Sequence, residues 1–161
     1  MRWSALSTTS KKHPRILAIA SAGGHWVQLR RMRSAFDSSD TLWVTTDRGY
    51  AGELEPGERL AIVPDANRWQ KIRLAISAVR IALLVLSYRP SVVVTTGAAP
   101  GFFALRLAKL IGARTMWIDS IANADELSMS GRLALKVADE VLTQWPHLAT
   151  GERPRYEGAV V

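Results

Sequence analysis

The sequence predicts a doubly wound α/β fold on a parallel sheet, and three observations predict it. Short apolar runs alternate with helical patterns along nearly all of the 161 residues, as expected for strands joined by crossover helices. Continuous β-branched runs such as Val92-Val93-Val94 suit strands buried on both faces. The first strand-like run breaks into Ser21-Ala22-Gly23-Gly24-His25 and then into the helix-like Trp26-Val27-Gln28-Leu29. Adjacent glycines let a backbone turn sharply and approach a ligand. The helix start beyond them offers unpaired N–H groups, a natural seat for phosphate.

In chain order, strands are expected over 15–20, 41–46, 59–63, 91–96, 114–118 and 140–144. Helices are expected over 25–36, 68–88, 101–111 and 129–138. Residues 1–14 are polar and basic, with Lys11, Lys12 and Pro14, and lack the apolar core of a secretory signal. They are expected to be a flexible tail, followed by a single domain over 15–161. The 68–88 segment stands apart, because from Ile72 to Leu86 it is apolar except for Arg73, Ser77 and Arg80. At about 100° per residue those three fall on one narrow stripe. The segment is too short, and its arginines too central, for a transmembrane span. It is either a helix buried between the sheet and a neighbour, or a helix whose outer side meets a membrane interface or a partner chain.

Composition removes several functions. Without cysteine there are no disulfides or thiolate metal sites, and His13, His25 and His147 are not at metal-ligand spacing. No metal and no cofactor are expected. The first strand is not followed by G-x-G-x-x-G, and the P-loop lysine motif and the G-x-S-x-G elbow are missing. The net charge of +7 invites a nucleic-acid reading, but no recognisable module accompanies it, and nucleic acid is not an expected partner. The distribution says more than the sum. Between Asp65 and Asp119 there is no acid, while Arg68, Lys71, Arg73, Arg80, Arg89, Arg106, Lys109 and Arg114 all fall there. These are either solvated helix faces or a surface toward phosphate, whether lipid headgroups or a diphosphate-linked substrate.

Three loops leave the carboxyl ends of expected strands and converge on one crevice in a doubly wound sheet. The first is Gly23-Gly24-His25. The second is Thr95-Thr96-Gly97-Ala98-Ala99-Pro100-Gly101, whose Gly97 permits an unusual backbone angle and whose proline presets a first helical turn. The third runs from Asp119-Ser120 to Ser128-Met129-Ser130-Gly131-Arg132. His25 is a general base, a ligand for diphosphate, or simply a polar helix-start residue. Asp119 is a base, a carboxylate for a hydroxyl, or a loop-forming residue. Arg132 either clamps phosphate or pairs with Asp139. Trp145 fits core or interface better than a sugar platform.

These residues together resemble a family. Gly23-Gly24-His25, Thr96-Gly97 with Pro100-Gly101, Ile118-Asp119-Ser120, Ser128, Ser130-Gly131-Arg132, Gln144-Trp145 and Tyr156-Glu157-Gly158 are similar to asparagine-linked glycosylation protein fourteen and its bacterial exopolysaccharide relatives. The resemblance covers about residues 15 to 158. It implies a Rossmann-like, GT-B amino-terminal-type domain, half of a split glycosyltransferase akin to the lipid II-forming transferase. It further implies a peripheral subunit on the cytoplasmic face of the cell membrane, inactive without a second chain that carries the UDP-sugar domain. The expected reaction transfers a hexose, N-acetylglucosamine or similar, to a polyprenyl-diphosphate-linked saccharide. His25 and Asp119 are the expected catalytic pair. Gly23, Gly24, Gly97, Ala98, Ala99, Pro100, Gly101, Ser120, Ser130, Gly131 and Arg132 are the expected substrate contacts. Two departures follow. Asp119 stands where the family usually has glutamate, and no apolar anchor precedes residue 15, which leaves membrane attachment to 68–88. The alternative is a non-catalytic membrane scaffold that recruits and activates a partner transferase.

Overall fold

The computed structural model describes residues 13–65 and 69–160. Seven strands form one parallel sheet: β1 (Arg15–Ile19), β2 (Asp40–Thr45), β3 (Arg59–Ile62), β4 (Val92–Thr95), β5 (Arg114–Ile118), β6 (Glu140–Thr143) and β7 (Arg155–Tyr156). Their order is β3-β2-β1-β4-β5-β6-β7, with every pair parallel. Among the described residues four α-helices flank it: α1 (Gly24–Arg31), α2 (Lys71–Tyr88), α3 (Ala98–Leu110) and α4 (Met129–Ala134). This is the doubly wound architecture that the alternation of runs predicts. Apart from His13 and Pro14, the expected basic tail lies outside the described residues, as does Arg68.

Period-two alternation divides the strand side chains between two cores. Leu17, Ile19, Val44 and Val93 point to one face, where Ile81 and Val85 of α2, Ala104, Leu105 and Ala108 of α3, and Ala134 of α4 cover them. Ile16, Ala18, Trp43, Val94 and Ile118 point to the other, under Trp26 and Leu29 of α1. Gly101 sets the closeness of the first face. A Cβ there would lie far inside van der Waals contact with the Thr95 side chain. Gly101→Ala is therefore expected to cost about 2–3 kcal/mol, read as a lowered denaturant midpoint. Thr95→Ala in the same chain should recover part of it, whereas equal midpoints for Gly101→Ala and the unaltered chain would remove this role.

Strand ends shift by at most one residue from the sequence reading and α2 starts at Lys71, while three helices and one strand differ further. α1 stops at Arg31 and continues as a 3-10 turn over Arg33–Phe36. α3 begins at Ala98, so Ala98 to Gly101 are its first turn rather than a loop; Pro100 is tolerated there because first-turn N–H groups have no intrahelical acceptor. α4 ends at Ala134, where Lys136 and Val137 switch to i→i−3 bonds with Leu133 and Ala134. β7 has no counterpart in the expected strands. It is two residues long, and its evidence is pairing with β6 rather than any apolar period.

Helix α2 resolves the odd segment. Ser77, Ile81, Val85 and Tyr88 face inward, while Ile72, Ile76, Val79, Leu83 and Leu86 face out, at 47–79% exposure. Arg73 and Arg80 are exposed, but Ser77 is buried. The polar stripe therefore straddles the boundary between the two faces instead of forming an outer one. Spacings of four and three along the outer residues keep them on one continuous apolar strip. No helix among the described residues is long and apolar enough to cross a membrane.

The amino edge of the sheet carries an ion cluster. Arg30 grips Glu58 through two bonds of 2.9 and 2.8 Å, Arg33 adds one of 3.0 Å, and the Glu55 N–H donates to the same carboxylate at 2.8 Å. Burial pushes the Glu58 carboxyl up, but the Arg30 bond, the Glu55 N–H and Arg33 together outweigh it and hold the pKa at about 2, against an ordinary 4.5. A carboxyl lowered on folding adds stability above its unfolded value and loses it as pH falls toward the folded one. The thermal midpoint is thus expected to decline between pH 4.5 and 2. Glu58→Gln should be less stable at pH 7 and should decline less steeply over that range. An unchanged slope would show that the cluster does not contribute.

Candidate functional site

The strand order reverses between β1 and β4, and such a reversal opens a crevice at the carboxyl ends of the strands. Helix α1 leaves β1 toward one face and α3 leaves β4 toward the other, so both helix starts border this crevice. Neither has a side-chain cap. Gly23 (φ 77°) and Gly97 (φ 140°) adopt backbone angles that disfavour any side chain. Their own N–H groups are already used: Gly23 donates to the Tyr50 hydroxyl at 2.9 Å and Gly97 to Thr95 Oγ1 at 3.2 Å. The donors left without an intrahelical acceptor are those one step further on, at Gly24 and His25 of α1 and at Ala98 and Ala99 of α3. Ala98 sits there at φ 66°, a strained angle for a residue with a side chain.

His25 joins the two starts. Its Nδ1 lies 2.9 Å from the Thr96 carbonyl, and Thr96 Oγ1 donates back to the His25 carbonyl at 2.6 Å. A carbonyl only accepts, so Nδ1 carries the hydrogen and the neutral ring keeps Nε2 as an acceptor. Gly97 makes room for the ring, since a Cβ on it would come within 2.5 Å of His25 Cε1. The ring borders a cleft of about 260 Å³, with Ala98, Ser120, Ala122, Asn123, Ser128, Met129 and Ser130 as the other walls.

Asp119 is 2% exposed and is engaged throughout. Its carboxylate accepts from Trp117 Nε1 at 3.0 Å, Asn123 Nδ2 at 3.1 Å, the Ser128 N–H at 2.9 Å and the Ser128 hydroxyl at 2.6 Å. Ser128 Oγ in turn caps α4 by accepting from the Gly131 N–H at 2.8 Å. A carboxylate with four donors inside the protein has no lone pair aimed at the cleft. In this arrangement Asp119 organises the loop that carries Ser128 and Ser130.

The other expected contacts divide in the same way. Ser120, Ser130 and Ala98 reach the cleft, and Gly23 and Gly24 are exposed beside it. Ala99 is half-buried in the first turn of α3, while Gly97, Pro100, Gly101 and Gly131 are buried. These last four lie beneath the cleft surface. At Gly131 a Cβ would come within 2.6 Å of Asp119 Oδ1, so only glycine lets α4 close on the carboxylate. Arg132 is exposed and pairs with Glu126 at 2.9 Å and the Leu127 carbonyl at 2.9 Å. It does not pair with Asp139, which Lys109 and Thr115 occupy. Trp145 is half-buried, and its Nε1–H pins the Ile121 carbonyl at 2.9 Å.

Sequence reasoning singles out neither Tyr50, Asn123 nor Gln28, and includes Thr96 only as a member of the second loop. Only Gln28 left a signal. It is an uncharged polar residue between Trp26 and Leu29 on the apolar face of α1, three positions after His25, and it is 4% exposed.

Residues 67–160 match the family profile described as "Oligosaccharide biosynthesis protein Alg14 like". The chain is 30% identical over 180 aligned positions to the UDP-N-acetylglucosamine transferase subunit ALG14 of Eremothecium gossypii, covering 91% of this chain and 80% of the relative. It is 25% identical to the same-named subunit of Yarrowia lipolytica, covering 99% and 87%. Among solved structures, Acinetobacter baumannii MurG superposes with a TM-score of 0.71 at 11% identity, over 91% of this chain and 45% of MurG. The UDP-N-acetylglucosamine 2-epimerase of Rickettsia bellii gives 0.60 at 16% identity, over 84% and 40%. The chain thus spans less than half of either solved protein, and its fold is that of the amino-terminal domain of GT-B glycosyltransferases. The chain belongs to the Alg14-like family of oligosaccharide biosynthesis proteins.

Proposed function

We propose that this chain is the acceptor-side, membrane-associated subunit of a UDP-sugar glycosyltransferase, acting on a polyprenyl-diphosphate-linked saccharide. One observation carries the reading: His25, its Nδ1–H held by the Thr96 carbonyl, borders a cleft between two uncapped helix starts. The acceptor hydroxyl gives its proton to His25 Nε2 as its oxygen attacks the anomeric carbon. The bond from that carbon to the UDP oxygen breaks, and UDP leaves with the electron pair. First-turn N–H groups of α1 and α3 face the anionic diphosphate. Asp119 holds the opposite wall through Ser128. The names of the relatives favour N-acetylglucosamine as the sugar.

A second chain supplies the UDP-sugar domain, in keeping with the word "subunit" in those names. The membrane meets the outer strip of α2. That strip lies in the acid-free stretch between Asp65 and Asp119 and is edged by Arg73 and Arg80, a combination suited to anionic headgroups. The chain then lies on the cytoplasmic face of the membrane as a peripheral protein.

The test is transfer of labelled N-acetylglucosamine from its UDP donor to a polyprenyl-diphosphate saccharide. This chain alone, the partner chain alone and the mixture are assayed separately. Turnover only in the mixture is expected. Turnover by either chain alone would contradict the split-site reading.

A further inference from the structure

Two buried glutamines meet at one carbonyl. Gln28 of α1 and Gln144, just beyond β6, are each 4% exposed, and both direct an amide N–H at the Asp119 carbonyl, at 3.4 and 2.9 Å. Their oxygens are also occupied. Gln28 Oε1 accepts from the Ile121 N–H at 3.3 Å, so its amide brackets the loop backbone on both sides of Ser120 as a paired strand would. Gln144 Oε1 accepts from the Val160 N–H at 2.7 Å. The Asp119 backbone is thereby tied to the helix that carries His25 and to the C-terminal segment, while its carboxylate builds the 120–130 loop.

We propose that Gln28 and Gln144 are positioning residues, which hold the loop wall of the cleft at a fixed separation from His25 and link that separation to the seating of the segment at Val160. The physical reason is the economy of buried amides. A buried carboxamide with both ends satisfied is rigid, and losing one end leaves a polar group unpaired inside the protein. Neither glutamine touches the cleft, so their effect passes through the loop. The kinetic part of this inference rests on the transferase reading above; the structural part does not.

Two measurements keep those parts distinguishable. Hydrogen exchange on the full chain comes first, with Gln28→Met and Gln144→Met. Exchange at the Ile121, Asn123 and Ser128 amides should quicken at least about tenfold, while the central strand amides of Val93 and Val94 stay as in the unaltered chain. Gln144→Glu retains the acceptor for Val160 but replaces the donor to Asp119. It should loosen the loop and leave the Val160 amide protected. Unchanged loop exchange, or exchange that quickens equally across the sheet, would overturn the proposal.

The second measurement is steady-state kinetics of the two-chain enzyme. The KM for the lipid-linked acceptor should rise about tenfold in Gln28→Met, with the KM for the UDP-sugar unchanged, because only the acceptor wall has moved. A fall in kcat alone would mark a merely structural loss and contradict a positioning role. If the unaltered enzyme shows no transfer, the transferase reading falls, and loop-selective exchange alone decides the positioning claim.

Discussion

Replacing His25 with alanine is expected to lower turnover of the two-chain enzyme by about 10²–10⁴, the usual worth of a positioned general base. The geometry gives this its sign and its control. Nδ1 is committed to the Thr96 carbonyl, which leaves Nε2 as the nitrogen for the proposed proton transfer, and His25→Gln should not rescue. Gly97→Ala should reproduce much of the loss without touching the imidazole, since a methyl 2.5 Å from Cε1 expels the ring from its seat. The KM for the UDP-sugar should barely move in either variant, since the proposed function assigns the donor to the other chain. Full turnover in both variants would overturn the catalytic role and favour a scaffold that only recruits its partner.

Charging the outer strip of α2 is expected to detach the chain from membranes. Ile76 and Leu83 lie on that strip at 47% and 61% exposure. Each apolar side chain moved into an interface contributes on the order of 2 kcal/mol, and a glutamate in its place adds repulsion from anionic lipid. The double variant Ile76→Glu, Leu83→Glu should therefore bind vesicles of anionic phospholipid at least ~100-fold more weakly. Its thermal midpoint should hardly change, because the inner face of Ile81, Val85 and Tyr88 is untouched. Raising the salt should weaken the unaltered chain as well, through Arg73 and Arg80. Undiminished vesicle binding by the double variant would show that the strip serves a protein partner.

The fold was legible because its signals are local. Apolar runs such as Val92 to Val94 and the helical stretch from Lys71 to Tyr88 carry their own period. β7 was not legible, because two residues have no period and their evidence is a neighbour. At the site, glycine marked the turns correctly but not their work. Gly101 and Gly131 are small because Thr95 and Asp119 press on them, a tertiary fact with no trace in spacing. Asp119 itself reads as chemistry in a sequence, since a carboxylate after a strand invites a base. The four donors that Trp117, Asn123 and Ser128 aim at it are invisible in the spacing. His25, by contrast, is a half-buried ring beside the cleft.

The central claim is that this chain serves the acceptor and not the nucleotide sugar. Equilibrium binding to the isolated full chain tests it most directly, with a short polyprenyl diphosphate in detergent micelles as one ligand and UDP-N-acetylglucosamine as the other. Saturable binding of the lipid diphosphate, weakened by Gly97→Ala, is expected, with no measurable binding of the UDP-sugar. Tight UDP-sugar binding without a partner chain, together with indifference to the lipid diphosphate, would contradict it.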